Sequence, residues 1–122
     1  MNKKPSFVQG RIFSVKYAFN GAWRLVSKEP SIQVQLSIAI VMTIVGFMYH
    51  LSPIEWIIQV LTIGLVLVVE AINTAIEEIA DFVHQEHHPK IGLIKDISAG
   101  AVFLMAITAI IIGAIIYFPK IF

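Results

Sequence analysis

Four polar residues, Glu70, Asn73, Glu77 and Asp81, recur at intervals of three, four and four residues within an otherwise apolar run. On a helix that spacing sets them along one narrow stripe. A carboxylate inside a membrane span is costly to keep, which makes these residues functional candidates. Carboxylates at the edge of a membrane suit a hard divalent cation such as Mg²⁺, which prefers oxygen ligands and usually shares them with phosphates. A carboxylate held deeper can take a proton from a hydroxyl dissolved in the bilayer. Together the two placements suit phosphoryl transfer from a soluble nucleotide to a lipid alcohol.

The elements that must position these groups follow from composition. Of 122 residues, 57% are hydrophobic and 14% charged, with mean hydropathy +0.82. A soluble domain carries about 25% charged residues, so the chain reads as a small all-α integral membrane protein, a single domain over residues 1–122. It has no cysteine, which excludes disulfides and thiolate chemistry. Residues 6–28 predict an amphipathic surface helix, with Val8, Ile12, Val15, Phe19, Trp23 and Val26 at helical spacing. Spans are expected over about residues 31–49, 54–81 and 98–118, with a polar loop from Phe82 to Lys95 and a stop at Pro119. Lys3, Lys4, Arg11, Lys16, Arg24 and Lys28 precede the first span, and Lys90 and Lys95 lie between the second and third. This distribution places the N-terminus in the cytoplasm, with Lys120 as a counter-signal. No cleavable signal peptide is expected.

With that topology, Glu70 lies about 22 Å inward from Trp56, and Glu77 about 10 Å further along. Glu29, Lys95 and Asp96 fall at the level of Glu77, so ionisable groups from three segments converge on one interface. Plainer readings compete at several positions. Asn73 also suits helix packing, Glu78 falls off the stripe and reads as a solvated residue, and Glu55 reads as an interfacial one. His84 and His88, in His84-Gln85-Glu86-His87-His88, have a metal-binding spacing only if helical, and Pro89 favours a solvated turn. The small residues Ala99, Gly100, Ala101, Ala106, Ala109 and Gly113 allow close helix approach and carry no chemistry. No phosphate-loop or dinucleotide motif is present.

The run Glu70-Ala71-Ile72-Asn73-Thr74-Ala75-Ile76-Glu77 with Asp81, followed by Lys95-Asp96-Ile97-Ser98-Ala99-Gly100-Ala101-Val102, resembles the small prokaryotic diacylglycerol kinase family. Upstream, Ala18-Phe19-Asn20-Gly21 and Glu29 stand at matching positions, and the resemblance runs from about Phe13 to Lys120. It implies a surface helix, three transmembrane helices and a homotrimer with active sites shared between subunits, in the bacterial inner membrane. It also implies direct transfer of the γ-phosphate of Mg-ATP to a lipid alcohol. On this resemblance Glu70 is the general base, Glu29 and Glu77 hold Mg²⁺, and Asn73, Asp81, Lys95 and Asp96 contact the nucleotide or position the site. Arg11 stands one residue out of register with the family's basic N-terminal residue. Pro30, directly after Glu29, departs from the pattern. Ala99-Gly100-Ala101-Val102 and the ending Gly113-Ala114-Ile115-Ile116-Tyr117-Phe118-Pro119-Lys120 resemble the undecaprenol branch more than the diacylglycerol branch.

A small proton- or cation-conducting oligomer is the alternative, and a helical scaffold a third reading. Conduction needs the polar lining to continue outward, where only Gln59 and Thr62 are available. Neither continues the stripe well, the clustering at Glu29, Lys95 and Asp96 favours nucleotide chemistry, and a scaffold leaves the four embedded polar groups unexplained. Nothing in the composition suggests a nucleic-acid partner.

Overall fold

The computed structural model describes Lys4 and residues 6–122. Lys3, counted above in the basic N-terminal segment, lies outside the described residues. The described regular structure is entirely helical: α1 (Phe7–Lys28), α2 (Pro30–Met48), α3 (Pro53–Val83) and α4 (Pro89–Ile121). The last three are long and apolar enough to cross a membrane.

Each helix starts where the local chemistry favours a start. Ser6 caps α1 and Ser52 caps α3, each in a reciprocal capping box, with Gln9 and Glu55 respectively. Proline occupies the first turn of α2, α3 and α4, where its missing N–H costs nothing. Glu29 is the joint between α1 and α2: it caps the end of one and the start of the other in an extended conformation. Gln33 reinforces that corner by donating from Nε2 to the Val26 carbonyl at 3.2 Å.

Two expectations are corrected. The polar segment from Phe82 to Lys95 is mostly helical, and the non-helical stretch shrinks to His84–His88. Pro89 opens α4 instead of marking a loop, with His88 accepting from the Lys90 N–H through Nδ1 at 3.1 Å. Pro119 does not stop α4, which continues to Ile121. Pro119 withholds one helical donor, the one that would reach the Ile115 carbonyl, and the residues after it still close their own bonds, as Phe122 does to Phe118.

The helices pack mainly as an α3–α4 pair, with α2 against α3. At the α2–α3 turn, Leu51, Ile116 and Tyr117 form a small buried cluster, with Trp56 and Met42 against it. His50 turns the chain with φ of 53°, in the left-handed region. Gly46 is buried beneath the Trp56 indole, where an added Cβ would sit 2.7 Å from the ring edge. Gly46→Ala gains helix propensity but forces a rigid ring to move. The expected result is a net loss of about 1–3 kcal/mol, seen as a lower unfolding midpoint in detergent micelles and relieved in a Trp56→Leu background.

Gln59 is the buried polar residue of this end. Its Nε2 donates to the Met42 carbonyl at 3.0 Å, and its Oε1 accepts from the Tyr117 hydroxyl, so one carboxamide ties α2, α3 and α4 together. Nearby, Lys120 pairs with Glu55 at 3.1 Å, so the two charges at this end offset one another.

The chain exposes 9495 Å². A compact soluble monomer of 13.6 kDa exposes about 6,600 Å². The excess is largely hydrocarbon, including Ile40, Phe47, Ile57, Leu104, Ile110 and Ile115. Such a surface calls for lipid or apolar protein around it.

Candidate active site

The helices α3 and α4 have 31 and 33 residues, about 46 and 50 Å long, against a hydrocarbon core of about 30 Å. Both must project beyond it. Glu77 and Asp81 follow Glu70 along α3 by about 10 and 16 Å, towards its C-terminal end. Glu70 is 7% exposed, the most enclosed carboxylate of the described chain. One turn further along α3, Thr74 donates from Oγ1 to the Glu70 carbonyl at 3.2 Å.

Two contacts follow Glu70 along α3, one to α4 and one within α3. Ser98 donates to Asn73 Oδ1 at 2.6 Å, and Asn73 Nδ2 donates to Glu77 Oε1 at 3.4 Å, a long bond. Asn73 is thereby a relay from the buried Ser98 to the exposed Glu77. Beyond it, Lys95 pairs with Asp81 at 2.5 Å, both partly open to water. The spacing argument thus brings Asn73, Glu77, Asp81 and Lys95 onto one α3–α4 face. Asp96 is exposed on α4, beside Lys95 in sequence. Arg11 is exposed on α1, its guanidinium 5.7 Å from the Phe7 ring centroid.

Glu29 lies on a different side of α3. It lines a concavity of about 310 Å³ between α1 and α3, with Arg24 from α1 and Thr74 and Glu78 from α3. Residues 77 and 78 are 100° apart around a helix, so when Glu77 reaches Asn73, Glu78 turns towards α1. Within one chain, Glu29 therefore shares its concavity with Glu78 rather than with Glu77. Among the described residues no group of three or more His, Asp or Glu side chains is placed to hold a metal ion. Mg²⁺ is still compatible, because it uses one or two carboxylates and completes its shell with water and substrate phosphates. His84 and His88 face each other with ring centroids 5.4 Å apart, and the Nδ1 of His88 is already engaged as a helix cap.

Three of these residues fall outside the stripe from Glu70 to Asp81. Ser98 lies inside the quoted motif, but its partnership with Asn73 depends on the α3–α4 register. Glu78 is exposed, as the stripe implies, yet it lines the concavity. Gln59 sits eleven residues before Glu70, three helical turns away on the same side, and that interval is the signal that could have found it. Between these two levels lies an apolar cavity of about 290 Å³, bounded by α2, α3 and α4, running from Leu67 towards Gln59 and Tyr117.

Residues 16–117 match the sequence profile of a family described as prokaryotic diacylglycerol kinase. The chain is 39% identical over 107 residues to the undecaprenol kinase of Bacillus subtilis (strain 168), covering 88% of this chain and 87% of that protein. It is 30% identical over 109 residues to a diacylglycerol kinase of Synechocystis sp., covering 88% of this chain and 62% of that protein. A diacylglycerol kinase of Haemophilus influenzae is 28% identical over 108 residues, with 88% and 92% covered.

Proposed function

The chain belongs to the prokaryotic diacylglycerol kinase family and is a lipid kinase; from that premise we propose that it phosphorylates a polyprenol, undecaprenol, using Mg-ATP at the cytoplasmic face of the membrane. Diacylglycerol is the other acceptor the relatives' names allow. The undecaprenol reading is supported by the 39% identity to the Bacillus enzyme, against 30% and 28% to the two diacylglycerol kinases. The motif around Ala99–Val102 and the α4 ending agree with it.

The observation that carries the mechanism is the enclosure of Glu70 inside the apolar part of α3, directly below polar contacts that reach water. A lipid hydroxyl arriving through the bilayer meets Glu70, which takes its proton as the oxygen attacks the γ-phosphorus in line, while the bond from that phosphorus to the β–γ bridging oxygen breaks and ADP leaves. Glu29 and Glu77 would hold Mg²⁺, which would offset charge on the phosphates. Lys95, oriented by Asp81, adds a positive charge for the transferring phosphoryl group. Asn73 positions Glu77, and Asp96 and Arg11 contact the nucleotide.

The remaining architecture fits this reading. Residues 1–122 form one domain. Helix α1 lies as an amphipathic surface helix at the cytoplasmic interface of a bacterial inner membrane, where its basic residues favour placement. Shared sites in a homotrimer would bring one subunit's Glu29 to another's Glu77, which a single chain holds on different sides of α3. The conducting-oligomer alternative loses its outward path, because Gln59 is already bonded to Met42 and Tyr117.

The test is transfer of labelled phosphate from ATP by purified protein in mixed micelles, with undecaprenol and diacylglycerol offered separately. Labelled undecaprenyl phosphate is the expected product. Phosphatidic acid alone would reassign the acceptor, and no labelled lipid from either would remove the proposed function.

A further inference from the structure

The concavity between α1 and α3 contains a cation and a carboxylate that the mechanism above leaves unused. Arg24 and Glu78 line it together with Glu29 and Thr74, while Ala71 and Ala75 keep its α3 wall small. The ion pairs among the described residues are Lys95–Asp81 and Lys120–Glu55, so Arg24 stands near two carboxylates without closing onto either. The space between them remains open.

We propose that Arg24 is a phosphate-binding residue of this kinase, gripping the nucleotide's polyphosphate in the α1–α3 concavity, with Glu78 as the residue that positions its guanidinium. This rests on the lipid-kinase reading of the site.

Three observations carry it. The first is charge. Glu29 and Glu78 alone would repel a polyphosphate, and Arg24 supplies the positive charge in that lining. A planar guanidinium offers paired N–H donors that match two phosphate oxygens, which an ammonium cannot do. The second is position. Ala71 and Thr74 follow Glu70 on α3 by one and four residues, and Thr74 bonds the Glu70 carbonyl, so the concavity begins at the turn that carries the proposed base, on the α1 side of that helix. A nucleotide held there has its terminal phosphate close to the level at which the lipid hydroxyl is activated. The third is the disposition of α3. Glu77 is turned to Asn73 on the α4 side, which leaves Glu78 as the α3 carboxylate facing Arg24 and Glu29. Its place opposite a long, mobile cation suits it to restrict where that cation points.

The experiment uses the purified full chain in mixed micelles with lipid acceptor at saturation. Arg24→Ala should raise the KM for Mg-ATP by roughly 10- to 150-fold, the loss expected for a hydrogen-bonded charged contact, and leave the KM for lipid unchanged. Arg24→Lys should recover part of that loss. Glu78→Gln should raise the same KM by a smaller factor, with Glu78→Asp closer to wild type. Binding of a non-hydrolysable Mg-ATP analogue, followed by its shift of the thermal midpoint, should weaken in the same order without turnover. Arg24 is exposed and unpaired in the described structure, so the variants should fold, and the midpoint without nucleotide checks this. An unchanged KM for Mg-ATP in Arg24→Ala, with wild-type transfer intact, would overturn the role of Arg24 and leave the kinase reading standing. A rise confined to the lipid KM would also overturn it, by making Arg24 an anchor to the bilayer. If the wild-type chain bound the analogue but transferred no phosphate, the kinase reading would fail separately.

Discussion

Glu70→Gln is expected to abolish phosphoryl transfer while preserving nucleotide binding. The carboxamide keeps the shape of the side chain and lacks the charge that takes up a proton. It therefore fits the enclosed position of Glu70, 7% exposed, without forcing the helices apart. Loss of a general base costs roughly 100- to 10,000-fold in turnover. Glu70→Asp should fall between, because withdrawing the carboxylate by one methylene misplaces it by about 1.5 Å, and errors near 1 Å already cost on the order of 100-fold. The measurement is single-turnover transfer from labelled ATP, with analogue binding measured in parallel. Near-normal turnover in Glu70→Gln would remove Glu70 as the base. Parallel loss of turnover and of analogue binding would make it part of the nucleotide site instead.

Lys95→Ala should produce the second largest loss, on the order of 100-fold or more in kcat/KM for Mg-ATP, as expected for removal of one preorganised positive donor from a phosphoryl-transfer site. The environment of the pair separates this from a stability effect. The Lys95 and Asp81 side chains are 38% and 61% exposed, so water screens their attraction and the pair adds little to folding. Asp81→Asn should have a smaller effect, since it loosens Lys95 without removing its charge. If Lys95→Ala lowered the unfolding midpoint and activity together, and Asp81→Asn matched it in both, the pair would be structural. A large fall in kcat/KM with an unchanged midpoint is the predicted pattern.

The order and type of the helices were readable because three apolar runs are long enough to cross a membrane. The reciprocal cap of Ser52 and Glu55 emerges only in the structure, since Glu55 also suits a plain interfacial position. The stripe from Glu70 to Asp81 was readable as well, since one helix fixes its angular relations. The errors came where a residue type has two uses. Pro89 suits a loop as well as a helix start and here opens α4, and Pro119 suits a stop but sits inside the last turn of α4. Contacts between helices were not readable at all. The bond from Ser98 to Asn73 spans 25 residues and the one from Tyr117 to Gln59 spans 58, and both depend on how helices settle against each other. Glu78 shows the same limit. Its exposure follows from the stripe, but its share in a concavity depends on where α1 lies.

The joint at Glu29 couples two directions in the fold. It is the single residue between α1 and α2 outside either helix, and its backbone angles, φ −99° and ψ 111°, set the angle between them. The same residue projects the carboxylate expected to meet the cation. Rotation about one pair of bonds thus swings a 22-residue lever and re-aims a ligand in the same movement. A change in the Glu29 backbone angles would therefore reshape the α1–α3 concavity from both sides at once, since α1 supplies one wall and the Glu29 carboxylate lines the same space.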